Sequence, residues 1–123
     1  MLWVILAIIL VIAVLFYVFP IIEVCGDSMN PTFNSGDLIV GCRIFKNPTL
    51  NQVFIFRPPV GEKYVIKRLA HISEYTGKFF FEGDNRDYSY DSRKYGYISK
   101  DKLVARYLFT IHKERSCKSN GCK

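Results

Sequence analysis

Residues 2–19, LWVILAIILVIAVLFYVF, contain neither a charge nor a glycine. No other stretch restricts the chain as much, because an apolar run without a polar stripe is not the surface helix of a small globular domain. A run of this length suffices to cross a bilayer core as a helix, with slight thinning or with help from Ile21 and Ile22. A cleaved signal peptide would carry a basic start, a shorter apolar centre and small residues at its cleavage site. Here Met1 leads directly into the run and no Ala-x-Ala follows. Cys25 raises the lipoprotein alternative, but Val24 stands where a small residue would precede the cysteine. The expectation is an uncleaved transmembrane anchor over residues 1–20.

Behind the anchor about a hundred residues remain, enough for one domain with a modest core. After Pro20 the pattern changes to short extended runs: IIEVC (21–25), DLIVGCRIF (37–45), QVFIF (52–56) and KYVIKRLAHI (63–72). Thr76-Gly77 separates 69–75 from 78–82 as a hairpin turn would, and KLVARYLFTIH (102–112) reads as a last strand, or a short helix and a strand. Closely spaced strands with Gly and Pro turns predict a mainly β fold, a small antiparallel sheet over 21–112. The polar tail 113–123 is expected to fray.

The formal net charge of +6 lies entirely beyond the anchor. Orientation in a membrane follows Lys and Arg close to the span, and here Glu23, Asp27 and Asp37 precede the first basic residue, Arg43. The near flank therefore leaves the topology open. The charge suits an anionic membrane surface or a plain solvated face. It does not mark a nucleic-acid partner, since no basic block is interleaved with aromatics in a known module. The four cysteines lack the Cys-x2-Cys spacing common in metal sites. Cys117 and Cys122 are spaced to close a small terminal loop in an oxidising compartment, and Cys25 and Cys42 are either buried thiols or a second bridge.

Ser28, in VCGDSMNPTFNSGD (24–37), is the first candidate for chemistry. A serine hydroxyl is a poor nucleophile until a base takes its proton. His71 and His112 are the only histidines, and neither lies in a distinctive motif. Lysine is the other base. In Tyr64-Val65-Ile66-Lys67-Arg68-Leu69 the strand period sends Tyr64, Ile66 and Arg68 to one face and Val65, Lys67 and Leu69 to the other. A lysine among aliphatic residues loses hydration, which lowers its pKa. Unperturbed, it would be only about 0.1% neutral at neutral pH; a shift of ~2–3 units makes it a usable base. On the residues alone, the commoner case is a lysine whose head snorkels to water.

The third stretch, GDNRDYSYDSR (83–93), is rich in turn chemistry: Asp84, Asn85, Asp87, Ser89, Asp91 and Ser92 can all bond nearby backbone. Its spacing is not that of an EF-hand calcium loop. Arg86 and Arg93 are placed to pair with Asp84 or Asp91 and stiffen the loop.

Together GDSMNPTFNSGD, KYVIKRL and EGDNRDYSYDSRKYG, in this order, resemble the three hallmark boxes of bacterial type I signal peptidases, Ser-Lys serine proteases. QVFIFRPP resembles the strand before their lysine box, and the similarity covers residues 1–108. The resemblance implies the fold shared with LexA-like repressor autoproteases, a single-pass anchor in the cytoplasmic membrane and a catalytic domain on its extracytoplasmic side. It implies removal of signal peptides, bound as extended strands, from exported preproteins, with no metal or cofactor. Ser28 would be the nucleophile and Lys67 the general base. Met29 would pack beside the serine, and Ser89 would help orient the lysine. Gly83, Asp84, Asn85, Arg86, Asp91, Ser92 and Arg93 would support the site, Asp91 and Arg93 as a bracing pair. The Ser28 N–H would serve the oxyanion; Gly26 stands where some relatives carry a second, hydroxyl donor. The Gly-x-Pro-Gly-Asp turn usual after the lysine box is replaced by Ala70-His71-Ile72-Ser73-Glu74. The short stretch between Arg68 and Gly83 implies a minimal catalytic core. The competing readings are a repressor-type autoprotease, a processing peptidase dedicated to a conjugation or pilus substrate, and an inactive membrane-tethered module that binds peptides.

Overall fold

The computed structural model describes residues 1–61 and 63–112. The expected fraying of the tail and the Cys117–Cys122 pairing lie outside the described residues.

The apolar run forms helix α1, Leu2–Val18. It ends where the chain requires it to: Phe19 precedes Pro20, a position biased away from helical backbone, and Phe19 sits at φ −116° and ψ 76°. At 17 residues, α1 is about 25 Å long against a hydrocarbon core of about 30 Å. No helix among the described residues is long and apolar enough to cross a membrane. The transmembrane span expected over 1–20 is therefore not confirmed, because the Pro20 break removes the last residues that would have lengthened it. None of the α1 side chains is buried against the domain.

Six strands follow: β1 (Ile21–Glu23), β2 (Leu38–Cys42), β3 (Val53–Phe56), β4 (Val65–Ile72), β5 (Phe79–Glu82) and β6 (Leu103–His112). They make one antiparallel sheet in the order β1-β2-β6-β3-β4-β5. The expected mainly β domain is present, and each predicted run contains a strand. The β4–β5 hairpin turns at Gly77, whose φ of +70° lies in the left-handed region that glycine tolerates. The loop 83–97 holds a 3-10 turn at Arg86–Tyr88 and one helical turn, α2 (Ser92–Tyr95).

Two apolar clusters cover the two faces of the sheet. Val24, Met29, Phe33, Ile39, Val53, Ile55, Ile66 and Ala105 form one. Phe54, Phe56, Leu69, Phe79, Phe81, Ile98 and Leu103 form the other, with Val65 and Tyr95 packed against it. Strand β3 lies between them with every residue buried. Each fully buried phenylalanine contributes about 1.5–3 kcal/mol from burial, and Phe56 stacks on Phe81 at 4.4 Å. The period of β4 divides as the sequence predicts: Ile66 enters the first cluster, while Val65 and Leu69 join the second.

Strand pairing leaves β4 half-covered. It pairs with β3 from Val65 to Arg68, but with β5 only from Arg68 onward. Among the described residues, the second edge of Val65–Lys67 carries no strand, and neither does the outer edge of β1.

Candidate active site

Ser28 lies on the loop between β1 and β2, and Lys67 near the centre of β4. Separated by 39 residues in sequence, their Oγ and Nζ atoms stand 2.5 Å apart. The lysine does not snorkel: it is only 5% exposed, because its face of β4 is packed by the second cluster. Burial lowers its pKa from 10.5 to about 8, against the opposing pull of the Asp91 carboxylate. About a tenth of the amine is then neutral at pH 7, where an unperturbed lysine has well under 1%. A neutral amine at this distance is placed to take up the hydroxyl proton of Ser28, the geometry a general base on a serine requires.

The third stretch holds the serine in place. Asn85 N–H donates to the Ser28 carbonyl at 2.8 Å, and Asn85 Nδ2 to the Asp27 carbonyl at 2.9 Å. Asp84 N–H points at the Met29 sulfur at 3.4 Å, and Met29 is fully buried beside the serine. Gly83 is there because nothing larger fits: a Cβ would meet the Ser28 carbonyl oxygen at 2.5 Å and collide with Ser89 Oγ. Beneath it Asp91, fully buried, accepts from Gly83 N–H at 2.9 Å, Ser89 Oγ at 2.7 Å and the Arg93 guanidinium at 2.9 and 3.0 Å. Burial opposes ionisation of Asp91, but the hydrogen bonds from Arg93, Gly83 and Ser89 outweigh it and hold the pKa at about 2. Ser92 Oγ, also buried, accepts from Phe81 N–H at 2.9 Å and ties α2 to β5.

The family model for signal peptidase, peptidase S26, matches residues 1–73 and 75–112. The chain belongs to that family. Comparison with curated proteins finds no match.

Of the pairings expected for Arg86 and Arg93, that of Arg93 with Asp91 is present. Asp84 pairs with neither arginine but with Arg68, at 2.9 Å to each carboxylate oxygen. Its carboxyl is held below the usual range by that guanidinium, against some burial and with help from Thr32. Arg86 instead reaches Glu82 at 3.3 Å, and its carbonyl accepts from Arg93. Arg68 and Thr32 were not among the expected site residues. Arg68 points to the face opposite Lys67, and only the folded chain brings Asp84 to it. Ser89 donates to Asp91, and no hydrogen bond joins it to Lys67 among the described residues. Its connection to the lysine runs through the Asp91 charge. Gly26 has a φ of +85°, a conformation that disfavours any residue with a Cβ, and its N–H is directed to Ser35 Oγ at 3.4 Å. The Ser28 N–H has no partner among the described residues. Cys25 is disulfide-bonded while Cys42 is a free thiol, so no bridge joins the two; Cys42 Sγ points at the Ile44 carbonyl.

A groove of about 400 Å³ runs between β1 and the uncovered edge of β4, walled by Ile22, Val24, Ile55, Tyr64 and Ile66 and ending at Ser28 and Lys67.

Proposed function

We propose that this chain is a membrane-attached serine endopeptidase that removes N-terminal signal peptides from exported preproteins. The observation that carries the reading is the 2.5 Å approach of Ser28 Oγ to a buried Lys67, at the end of a groove bounded by strand edges. Neutral Lys67 takes the proton of Ser28, whose oxygen attacks the carbonyl carbon of the scissile bond. The Ser28 N–H donates to the oxyanion, the kind of preorganised contact that contributes most to acyl transfer. Protonated Lys67 then gives its proton to the leaving amine. Neutral again, it takes a proton from water, which attacks the acyl-ester, and Ser28 recovers its hydrogen. Asp91 and Arg93 keep the loop and the serine in register throughout.

The substrate binds as an added strand, since open strand edges offer unpaired backbone groups and alternate pockets. Small residues at −1 and −3 before the cut suit the narrow groove beside Gly26. The uniformly apolar, unburied α1 supports attachment to the bilayer, with local thinning to match its length. Family membership supports an extracytoplasmic site in the cytoplasmic membrane.

The test is cleavage of a preprotein carrying an Ala-x-Ala site by the detergent-solubilised full chain. The wild type cuts after the second alanine. Ser28→Ala and Lys67→Ala each lose about four orders of magnitude or more in rate, with the fold retained by circular dichroism. A Ser28→Ala chain that still cuts would overturn the assignment.

A further inference from the structure

The apolar groove is not the only depression that reaches the Ser28–Lys67 pair. A second cleft of about 290 Å³ opens onto the same two residues from the other side of β4. Its walls are Pro58, Val60, Val65, Tyr88, Tyr90 and Tyr95, with Asp27 at one margin. Tyr88, Tyr90 and Val60 are 76%, 59% and 62% exposed, and the Tyr90 and Tyr95 rings stand 5.6 Å apart. So much aromatic and aliphatic surface around a reactive serine is surface that a ligand would cover.

The strand period says which ligand. Tyr64, just before β4, and Ile66 line the apolar groove alone, while Val65 and Lys67 line both depressions and are the β4 residues that reach the tyrosine cleft. An extended peptide laid beside β4 alternates in the same way. With residues −3 and −1 in the groove, residues −2 and +1 turn to the opposite face. That face is the tyrosine cleft.

We propose that this cleft is a specificity subsite for one large aromatic or aliphatic side chain next to the cut, at position −2 or +1 of the substrate. The proposal rests on the peptidase reading above. The volume holds one large side chain, below the range of most small-molecule pockets. The walls are largely apolar and aromatic, which disfavours a charged occupant through lost hydration.

The test measures binding and cleavage with the full chain. Fluorescently labelled peptides carry Ala at −3 and −1, and Gly, Phe or Asp at −2 or at +1. Their binding to the Ser28→Ala chain is followed by anisotropy, and their cleavage by the wild type is followed in parallel. Phe at one of the two positions is expected to bind roughly tenfold more tightly than Gly, as aromatic contacts of this kind give, with Asp weaker than Gly. In the Ser28→Ala background, Tyr88→Ala combined with Tyr90→Ala brings the Phe-to-Gly ratio to about one. Equal affinity for Phe and Gly at both positions overturns the proposal, as does a ratio that survives loss of both tyrosines. A Phe preference in binding without cleavage by the wild type upholds the cleft and overturns the peptidase reading instead.

Discussion

In the proposed mechanism Lys67 is the base, and its environment predicts a pH profile for that role. A base with a pKa of about 8 is mostly protonated at pH 7. The rate at limiting substrate should therefore rise about tenfold per pH unit below that value and level off above it. A stopped peptide-cleavage assay between pH 5 and about pH 10 measures the profile. A break near 6.5 would point to histidine as the base. The depression from 10.5 to about 8 is worth on the order of 3 kcal/mol between the two protonation states. It comes from placing an amine on a face of β4 packed by Val65, Leu69 and phenylalanines. Asp91 moderates the shift through its charge. Gly83 and Gly26 work by what they lack: at Gly83 a Cβ would occupy the space of Ser28 and Ser89, and at Gly26 a left-handed backbone admits glycine.

Among the elements, the junction of α1 with the sheet has its own fastening. The last turn of α1 contains no basic residue, so its carbonyl end lacks the cation that a helix terminus favours. Arg43, just beyond β2, supplies it from outside. Its N–H donates to the Val18 carbonyl at 2.8 Å and its Nε to the Tyr17 carbonyl at 2.7 Å, while its guanidinium lies 5.0 Å over the Tyr17 ring. Gly41 N–H adds a bond to the Pro20 carbonyl at 3.0 Å. Arg43→Ala should loosen the end of α1 without moving Ser28. Hydrogen exchange in micelles should show severalfold faster exchange at the amides of Leu15–Phe19, with the rate on a short peptide unchanged. Unaltered exchange there would show that backbone bonds alone hold the junction.

At the scale of the whole molecule, acid stability depends on Asp91. It accepts from Gly83, Ser89 and Arg93 and so holds the loop 83–97 and α2 in one hydrogen-bonded unit. Its pKa is depressed from 3.8 to about 2, so its stabilisation is complete above the unfolded value and is lost as pH falls through the folded one. The shift corresponds to about 2 kcal/mol. Denaturant unfolding of the full chain should give a stability that changes little down to about pH 4 from this group and then declines toward pH 2. Asp91→Asn should lower stability at neutral pH and flatten that decline. An unchanged decline in the variant would assign the acid limb to other carboxylates, Asp84 first. The rest of the fold is carried by the buried β3 and the two clusters on either side of it.

Much of this molecule was legible in local sequence. The apolar helical run, the period of β4 and the Gly77 turn each depend on residues within a few positions of one another. Backbone sterics and side-chain alternation act over that range. The three boxes also singled out Ser28, Lys67 and Asp91 as candidates for the site. Tertiary structure decided what lies far apart in the chain. It brought Lys67 within 2.5 Å of Ser28 across 39 residues, and it gave Asp84 to Arg68 rather than to its near neighbours Arg86 and Arg93. It left Cys42 a free thiol while Cys25 is disulfide-bonded, and among the described residues one edge of β4 beside the serine carries no strand. Each of these follows from strand register and from which face a side chain occupies once the sheet is assembled. Local preferences specify which segments extend; the packing of one segment on another selects the partners.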